Sequence, residues 1–484
     1  MTALQRTPPL EAEPAPAPAP AAATPIGAPP AGGVAPAAAV YALFVLTVVT
    51  LFALIDRQIL VLLSETIRKQ LALSDLQLGL LTGTAVTLFA ALAAYPLGWL
   101  ADRFDRRWVL AGCIVVWSLA CAGCGLAQSY PQLLAASAVV GAAEAGLVPI
   151  TYAMIPNLFR PQRLQLANST FAMATGVGGG AAIALCGMLI GWVELGRMHL
   201  PAALQALDGW RLAFFAAALP APLMVALMLS LPAGRPLRQG RQPARAQPAP
   251  AAQAAGLAPA APGGMALLLP HLRAHRRTFT CFFGGVGLSF FGFFAVGGWI
   301  ANLLIRQFAQ TPQQVGSGMG TAGVIGLLLG FAISAFGLRG FSARLGLRLP
   351  LRALWIATLT TVGVNVALVL AASATQVYVV YGVQIMCLTL AGMLYVTALQ
   401  GLAPTPLRAR VVALQTIINS AAGALAVPLV GLLSDQLKHL PNGLMVAATT
   451  LATPALLAAA WLLWRGERPY VDTAQANAAI DAAA

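Results

Sequence analysis

Twelve apolar runs, most of about 20 residues or more, dictate the solvent this chain folds in, because an α-helix needs roughly 20 residues to cross bilayer hydrocarbon. The runs lie near 40–63, 76–100, 108–128, 132–156, 164–192, 211–231, 278–305, 314–337, 351–371, 376–402, 410–434 and 443–464. They lack the alternating pattern of about ten residues that marks outer-membrane strands. The spacing therefore predicts an all-α membrane protein with twelve transmembrane helices. Composition agrees, since 59% hydrophobic residues, 9% charged residues and a mean hydropathy of +0.80 leave too much apolar surface for a water-soluble core.

Polar segments divide the chain. Residues 1–39 read as a disordered Pro/Ala-rich tail, 40–232 as an N-terminal six-helix bundle, 233–277 as a linker, 278–464 as a C-terminal six-helix bundle and 465–484 as a C-terminal tail. Placing both tails and the linker in the cytoplasm puts 21 Arg on that side and six Lys or Arg on the other. This is the asymmetry of the positive-inside rule. The net charge of +14 is thus spread over short loops as an orientation signal and makes no nucleic-acid patch. All basic residues but Lys69 and Lys438 are Arg, and Ala abounds, which fits a GC-rich bacterial gene and a bacterial inner membrane. A partial internal repeat supports two parallel halves: Pro161-Gln162-Arg163 opens the fifth span and Pro406-Leu407-Arg408, 245 residues on, the eleventh.

Charges inside the apolar runs are few. Asp56-Arg57 interrupts the first and Glu144 the fourth, where an ionised group costs several kcal/mol unless paired or facing water. Between Asp208 and Asp435 there is no Asp or Glu at all, so a carboxylate in a central cavity must come from the first half. The 245-residue offset carries Asp56-Arg57 to Ala301-Asn302 and Glu144 to Thr389, both neutral. Arg57 stays protonated at any relevant pH and suits an anionic substrate group. Glu144 and Asp56 are the candidate proton-coupling carboxylates, Glu144 the favoured carrier. The alternative is a structural ion pair locking the first and fourth spans. The six cysteines read as small packing residues, and the four histidines lie in loops, so no metal site, cofactor or catalytic constellation is expected.

The loop after the second span, Gly98-Trp99-Leu100-Ala101-Asp102-Arg103-Phe104-Asp105-Arg106-Arg107, resembles the signature G-x-L-a-D-r-x-G-r-r of the major facilitator superfamily, with Asp105 in place of the second glycine. The resemblance implies a fold of two pseudo-symmetric six-helix bundles and alternating-access transport. It assigns conformational gating to Gly98, Asp102, Arg103, Arg106 and Arg107, with Gly98 permitting close helix approach and Asp102 meeting a helix N-terminus or a cation. The loop equivalent in the second half, Gly337 to Arg344, has no acid. Asp56-Arg57, Glu144 within Gly141 to Gly146, Gly209-Trp210-Arg211, and Pro428 to Asp435 further resemble the spinster branch, which implies a lysolipid-like substrate.

The sequence reading is therefore a monomeric, non-enzymatic secondary transporter. It moves an amphipathic or organic anion, with protons as coupling ions and membrane lipids as surroundings. Arg57, Asn302, Tyr395 and Asn419 are the candidate substrate-binding residues. Competing readings are a drug, sugar or organic-acid porter of the same fold, a membrane sensor, or a membrane-embedded enzyme. Glycines 176, 178, 179 and 180 in the fifth span suggest close helix packing, and six phenylalanines between Phe282 and Phe294 suggest a greasy path or a lipid-facing surface.

Overall fold

The computed structural model describes residues 35–231, 265–337, 344–405, 407–440 and 442–483. Twelve helices in it are long and apolar enough to cross a membrane. They are α1 (Pro36–Gln70), α2 (Asp75–Arg103), α3 (Arg106–Leu126), α4 (Tyr130–Leu158), α5 (Gln162–His199) and α6 (Gly209–Leu229), then α7 (Arg276–Phe308), α8 (Pro312–Phe336), α9 (Gly346–Val369), α10 (Ala374–Gly401), α11 (Arg410–Gln436) and α12 (Gly443–Arg465). The spans expected from the apolar runs are all present. Each half packs mainly within itself, α3 against α4 and α6, and α7 against α11 and α12.

The turns that start α2 and α8 repeat the same local chemistry. Ser74 and Thr311 each accept from the backbone N–H of the residue three positions on, Gln77 and Gln314, whose side chains bond back to the cap N–H. These capping boxes sit at corresponding positions in the two halves and strengthen the internal repeat. Helix interruptions mark the working parts. α2 widens to a π-helical stretch at Leu80–Ala85, α4 breaks at Ala145–Gly146 and α7 at Gly298–Trp299.

Two of the polar segments carry helices of their own. Glu467–Ala483, expected as a tail, is a helix (α13) that docks on the second half through buried Tyr470, Thr473, Ala474 and Asn477. The linker contains a short helix, Met265–Ala274. The reading of 1–34 as a tail and of 232–264 as a linker lies outside the described residues.

The core shows how the halves meet. One buried cluster runs through both, from Val49, Ile59 and Leu63 to Trp299, Leu304 and Val430. Toward the end that carries the α2–α3 loop that cluster continues only in the first half, through Ala101, Val109 and Met154, and two further clusters each stay within one half, Leu43, Tyr152, Ile155, Ala167 and Phe171 in the first and Phe282, Leu351, Leu399 and Leu407 among others in the second. The molecule is closed at one end and parted at the other.

Candidate functional site

The closed end is sealed by glycine contacts and charge. A Cβ on Gly187 of α5 would lie 2.9 Å from Gly316 Cα of α8, and one on Gly79 of α2 would lie 2.7 Å from Pro428 Cα of α11, so only glycine admits these backbone approaches. Within the expected glycine cluster of α5, Gly178 meets Leu51 of α1 and Gly180 meets Val324 of α8, whereas Gly176 and Gly179 face open space. The tightest α5–α8 seam lies farther along, at Gly187 and Gly191.

Beside that seam Arg306 of α7 donates to Glu65 of α1 at 2.7 Å and to Asp75 at 2.7 and 3.0 Å. Arg68 also donates to Glu65. From the second half, Ser434 donates to Asp75, and the Asp435 carboxylate accepts the backbone N–H groups of Asp75 and Leu76 at 3.0 and 2.9 Å, capping α2 from across the interface. Glu65 and Asp75 are 1% and 3% exposed. The sequence reading missed this latch because each member sits at the end of an apolar run, where charges are ordinary. The Glu65-x-x-Arg68 spacing was its one local signal.

Midway along α1, Asp56 is buried and points to α3. Both carboxylate oxygens are held there, Oδ2 by the indole N–H of Trp117 and Oδ1 by the thiol of Cys121 at 2.9 Å. Cys121 is therefore more than a packing residue. Arg57, the next residue, is exposed and makes no hydrogen bond or ion pair among the described residues. Glu144 ends the first segment of α4, just before the break at Ala145–Gly146. Gly141, one turn earlier, brings α4 against the α2 backbone, since a Cβ there would lie 2.6 Å from Val86 O. One oxygen of Glu144 is buried without a hydrogen-bond partner among the described residues, within electrostatic reach of Asp56 and Arg57. The structure thus gathers the three charges, and Arg57 closes no ion pair with either acid.

The second-half candidates separate. Asn302 is 2% exposed and accepts from Ser64 of α1 at 3.1 Å, so it belongs to the closed end rather than to a substrate wall. The capping boxes at Ser74 and Thr311, 237 residues apart, place it opposite Glu65 and not Arg57. Tyr395 and Asn419 are brought together, Asn419 Nδ2 donating to the Tyr395 hydroxyl at 3.5 Å while Gln415 donates to Asn419 at 2.7 Å. The Tyr395 ring stacks on Phe282 at 6.2 Å. Beside it lies a largely apolar cavity of about 80 Å³ lined by Phe290, Phe293, Ser289, Thr358 and Thr361. The phenylalanines of α7 thus pack mostly inward, Phe294 alone of the six being clearly exposed.

At the parted end, Asp105 caps α3 by accepting from Arg107 N–H at 3.0 Å, and the Arg107 side chain returns to the same carboxylate. Arg106 and Arg107 also donate to the carbonyls of Ala153 and Leu231, and Arg103 lies over the Trp99 ring at 5.1 Å. The arginines therefore tie the loop to α4 and α6 of their own half. Asp102 is exposed, and no hydrogen bond or ion pair holds it among the described residues. A Cβ on Gly98 would meet nothing within 4 Å, so the close approach expected there is absent in this state. Of the second-half counterpart, residues 338–343 lie outside the described residues. No group of three or more His, Cys, Asp or Glu is placed to hold a metal ion among the described residues.

Comparison with known proteins agrees with this architecture. Residues 46–427 match the Major Facilitator Superfamily. An MFS-type efflux pump of Mycolicibacterium smegmatis is 29% identical over 151 residues, 31% of this chain and 35% of that protein. The niacin transporter NiaP of Acinetobacter baylyi is 26% identical over 197 residues, 40% of each. The chain thus spans well under half the length of these curated relatives. Among solved structures, a bacterial homolog to the human lysosomal transporter Spinster, inward-facing and occupied, superposes with a TM-score of 0.66 at 21% identity, covering 92% of this chain and 98% of that one. With twelve spans in two packed halves and a match across most of its length, the chain belongs to the Major Facilitator Superfamily.

Proposed function

We propose that this protein is a proton-coupled, alternating-access transporter of an amphipathic or organic anion such as a lysolipid, here with its substrate path open to the cytoplasm. The observation that carries the reading is Arg57, an exposed cation without a partner among the described residues, within electrostatic reach of a buried Glu144 whose Oε1 also lacks one there. A permanent cation at this depth is costly unless it faces water or an anion. Arg57 anchors the anionic group, and Glu144 carries the proton. The Arg-rich loops and α13 lie at the parted end, so the positive-inside rule makes that end cytoplasmic in a bacterial inner membrane. The apolar cavity beside Tyr395 suits a hydrocarbon portion of the substrate.

A compact organic acid is the second reading, favoured by the partial match to a niacin transporter, since niacin is a carboxylate. Proteoliposome uptake of oleoyl-lysophosphatidylglycerol and of nicotinate separates the two. Arg57→Ala should weaken binding of the transported anion by roughly 10- to 100-fold, the loss of one charge-assisted hydrogen bond worth about 1.5–3 kcal/mol. Undiminished affinity removes Arg57 as the anchor.

A further inference from the structure

We infer that Trp117 and Cys121 are positioning residues that hold Asp56 against α3 and so keep the neighbouring Arg57 free for an anion; the inference rests on the reading of Arg57 as anchor. Consecutive helical residues project about 100° apart, so Asp56 and Arg57 do not face each other by default. That angle alone does not separate them, because the long arginine side chain can fold back toward a mobile carboxylate in a low-dielectric setting.

Two donors prevent this. Trp117 and Cys121 stand one turn apart on the same face of α3, and each holds a different oxygen of Asp56. The indole N–H can only donate, and it has Asp56 as its acceptor. The thiol lies 2.9 Å from Asp56 and 3.4 Å from the Phe214 carbonyl, so the carboxylate is its nearer acceptor. All three side chains are buried, Trp117 at 4%, Cys121 at 1% and Asp56 at 6% exposure. With both oxygens held by donors on α3, the Asp56 carboxylate is turned to that helix, and no ion pair joins it to Arg57 among the described residues. The guanidinium is left exposed, and Glu144 lies within its electrostatic reach without an ion pair among the described residues. Asp56 thereby orients the first span, and the α3 donors decide that Arg57 answers to a ligand or to Glu144 instead of to its own neighbour.

The test reads Arg57 directly. The full-length protein is treated with phenylglyoxal, an arginine-selective dicarbonyl, and the rate of Arg57 modification is followed by peptide mass spectrometry. Trp117→Phe keeps the ring and removes the donor, and Cys121→Ala removes the other. In the double variant the freed Asp56 should pair with Arg57 and slow its modification by about threefold or more. Adding Asp56→Asn should restore the rate, a reversal that a merely structural role of Trp117 would not produce. An unchanged rate in the double variant overturns the inference, as does a slowed rate that Asp56→Asn fails to restore. Should Trp117→Phe fail to fold, Cys121→Ala must still slow modification while Cys121→Ser, which keeps a donor, matches the parent, and equal rates in all three overturn it. Binding of oleoyl-lysophosphatidylglycerol is measured in parallel. If modification slows and recovers as described while binding never changes, the positioning role stands and the anchor reading of Arg57 falls.

Discussion

Arg306 donates to Glu65 at 2.7 Å, and this contact joins the second half of the protein to the first at a carboxylate that is 1% exposed. Asp75 shares the same guanidinium, and Asp435 caps the α2 start from the opposite half. Because all these groups come together only where the halves touch, the latch is a property of one conformational state. Opening that end must separate Arg306 from two acids and take the Asp435 acceptor from α2, which keeps its Ser74 cap.

Arg306→Ala should therefore favour the oppositely open state. Breaking a buried ion pair costs roughly 3 kcal/mol, the low end of the usual range, because Arg68 remains beside Glu65. A change of that size shifts a two-state ratio by about 100-fold. Spin labels across the α5–α8 seam should report a longer distance, and an unaltered distance distribution would show that the seal does not depend on this contact.

Gly316→Val should act on the same equilibrium by steric means. A Cβ there would lie 2.6 Å from Gly187 Cα and 2.8 Å from Ile183 O, both α5 backbone, with no flexible side chain to yield. Overpacking of this kind costs about 1–3 kcal/mol. Gly179→Ala, which meets nothing within 4 Å, serves as the control and should leave the melting temperature unchanged. Equal melting curves for the two variants would contradict the seam's role.

The spans were legible because a helix in hydrocarbon must bury its backbone hydrogen bonds and show apolar side chains along some 20 residues. The charges at Asp56, Arg57 and Glu144 were legible as exceptions to that rule. The latch was not, since Glu65 and Arg306 are 241 residues apart and each lies where a loop charge is expected. An offset of 245 residues put Asn302 opposite Arg57, but the capping boxes at Ser74 and Thr311 are 237 residues apart, which pairs Asn302 with Glu65, beside the Ser64 it bonds. Helix α13 escaped notice because its docking stripe, Tyr470, Thr473, Ala474 and Asn477, has helical spacing but little aliphatic character.

Docking of α13 should respond to pH through His275. Burial and the neighbouring His271 push its imidazole below the ordinary value, and Nδ1 lies 3.3 Å from the Thr473 hydroxyl. The folded state thus binds fewer protons than the unfolded one. The stability it contributes is complete above about pH 6.5 and declines as pH falls through that value. Asp481 behaves differently: the Thr405 N–H and Arg408 hold its carboxyl below the usual range, so its contribution persists until pH falls below about 4. Hydrogen-exchange protection across 467–483, corrected for the intrinsic slowing of exchange at lower pH, should fall between pH 7.5 and 5.5, and His275→Gln should abolish that fall. A loss of protection that survives the substitution would assign it to another group.

Glu144→Gln should uncouple transport from the proton gradient while leaving the fold intact. The substituted amide is nearly isosteric and sits where one carboxyl oxygen already has no hydrogen-bond partner, so no bond is lost on that side. The variant cannot release or take up a proton, and it leaves Arg57 without its nearest acid other than Asp56, which the Trp117 and Cys121 donors hold. Binding of the anionic substrate at the open end should be retained or tightened, since a competing carboxylate is gone. Uptake into proteoliposomes should lose its dependence on an imposed proton gradient, with counterflow exchange preserved. Gradient-driven accumulation equal to that of the parent protein would exclude Glu144 as the carrier and move the coupling role to Asp56, for which Asp56→Asn is the corresponding measurement.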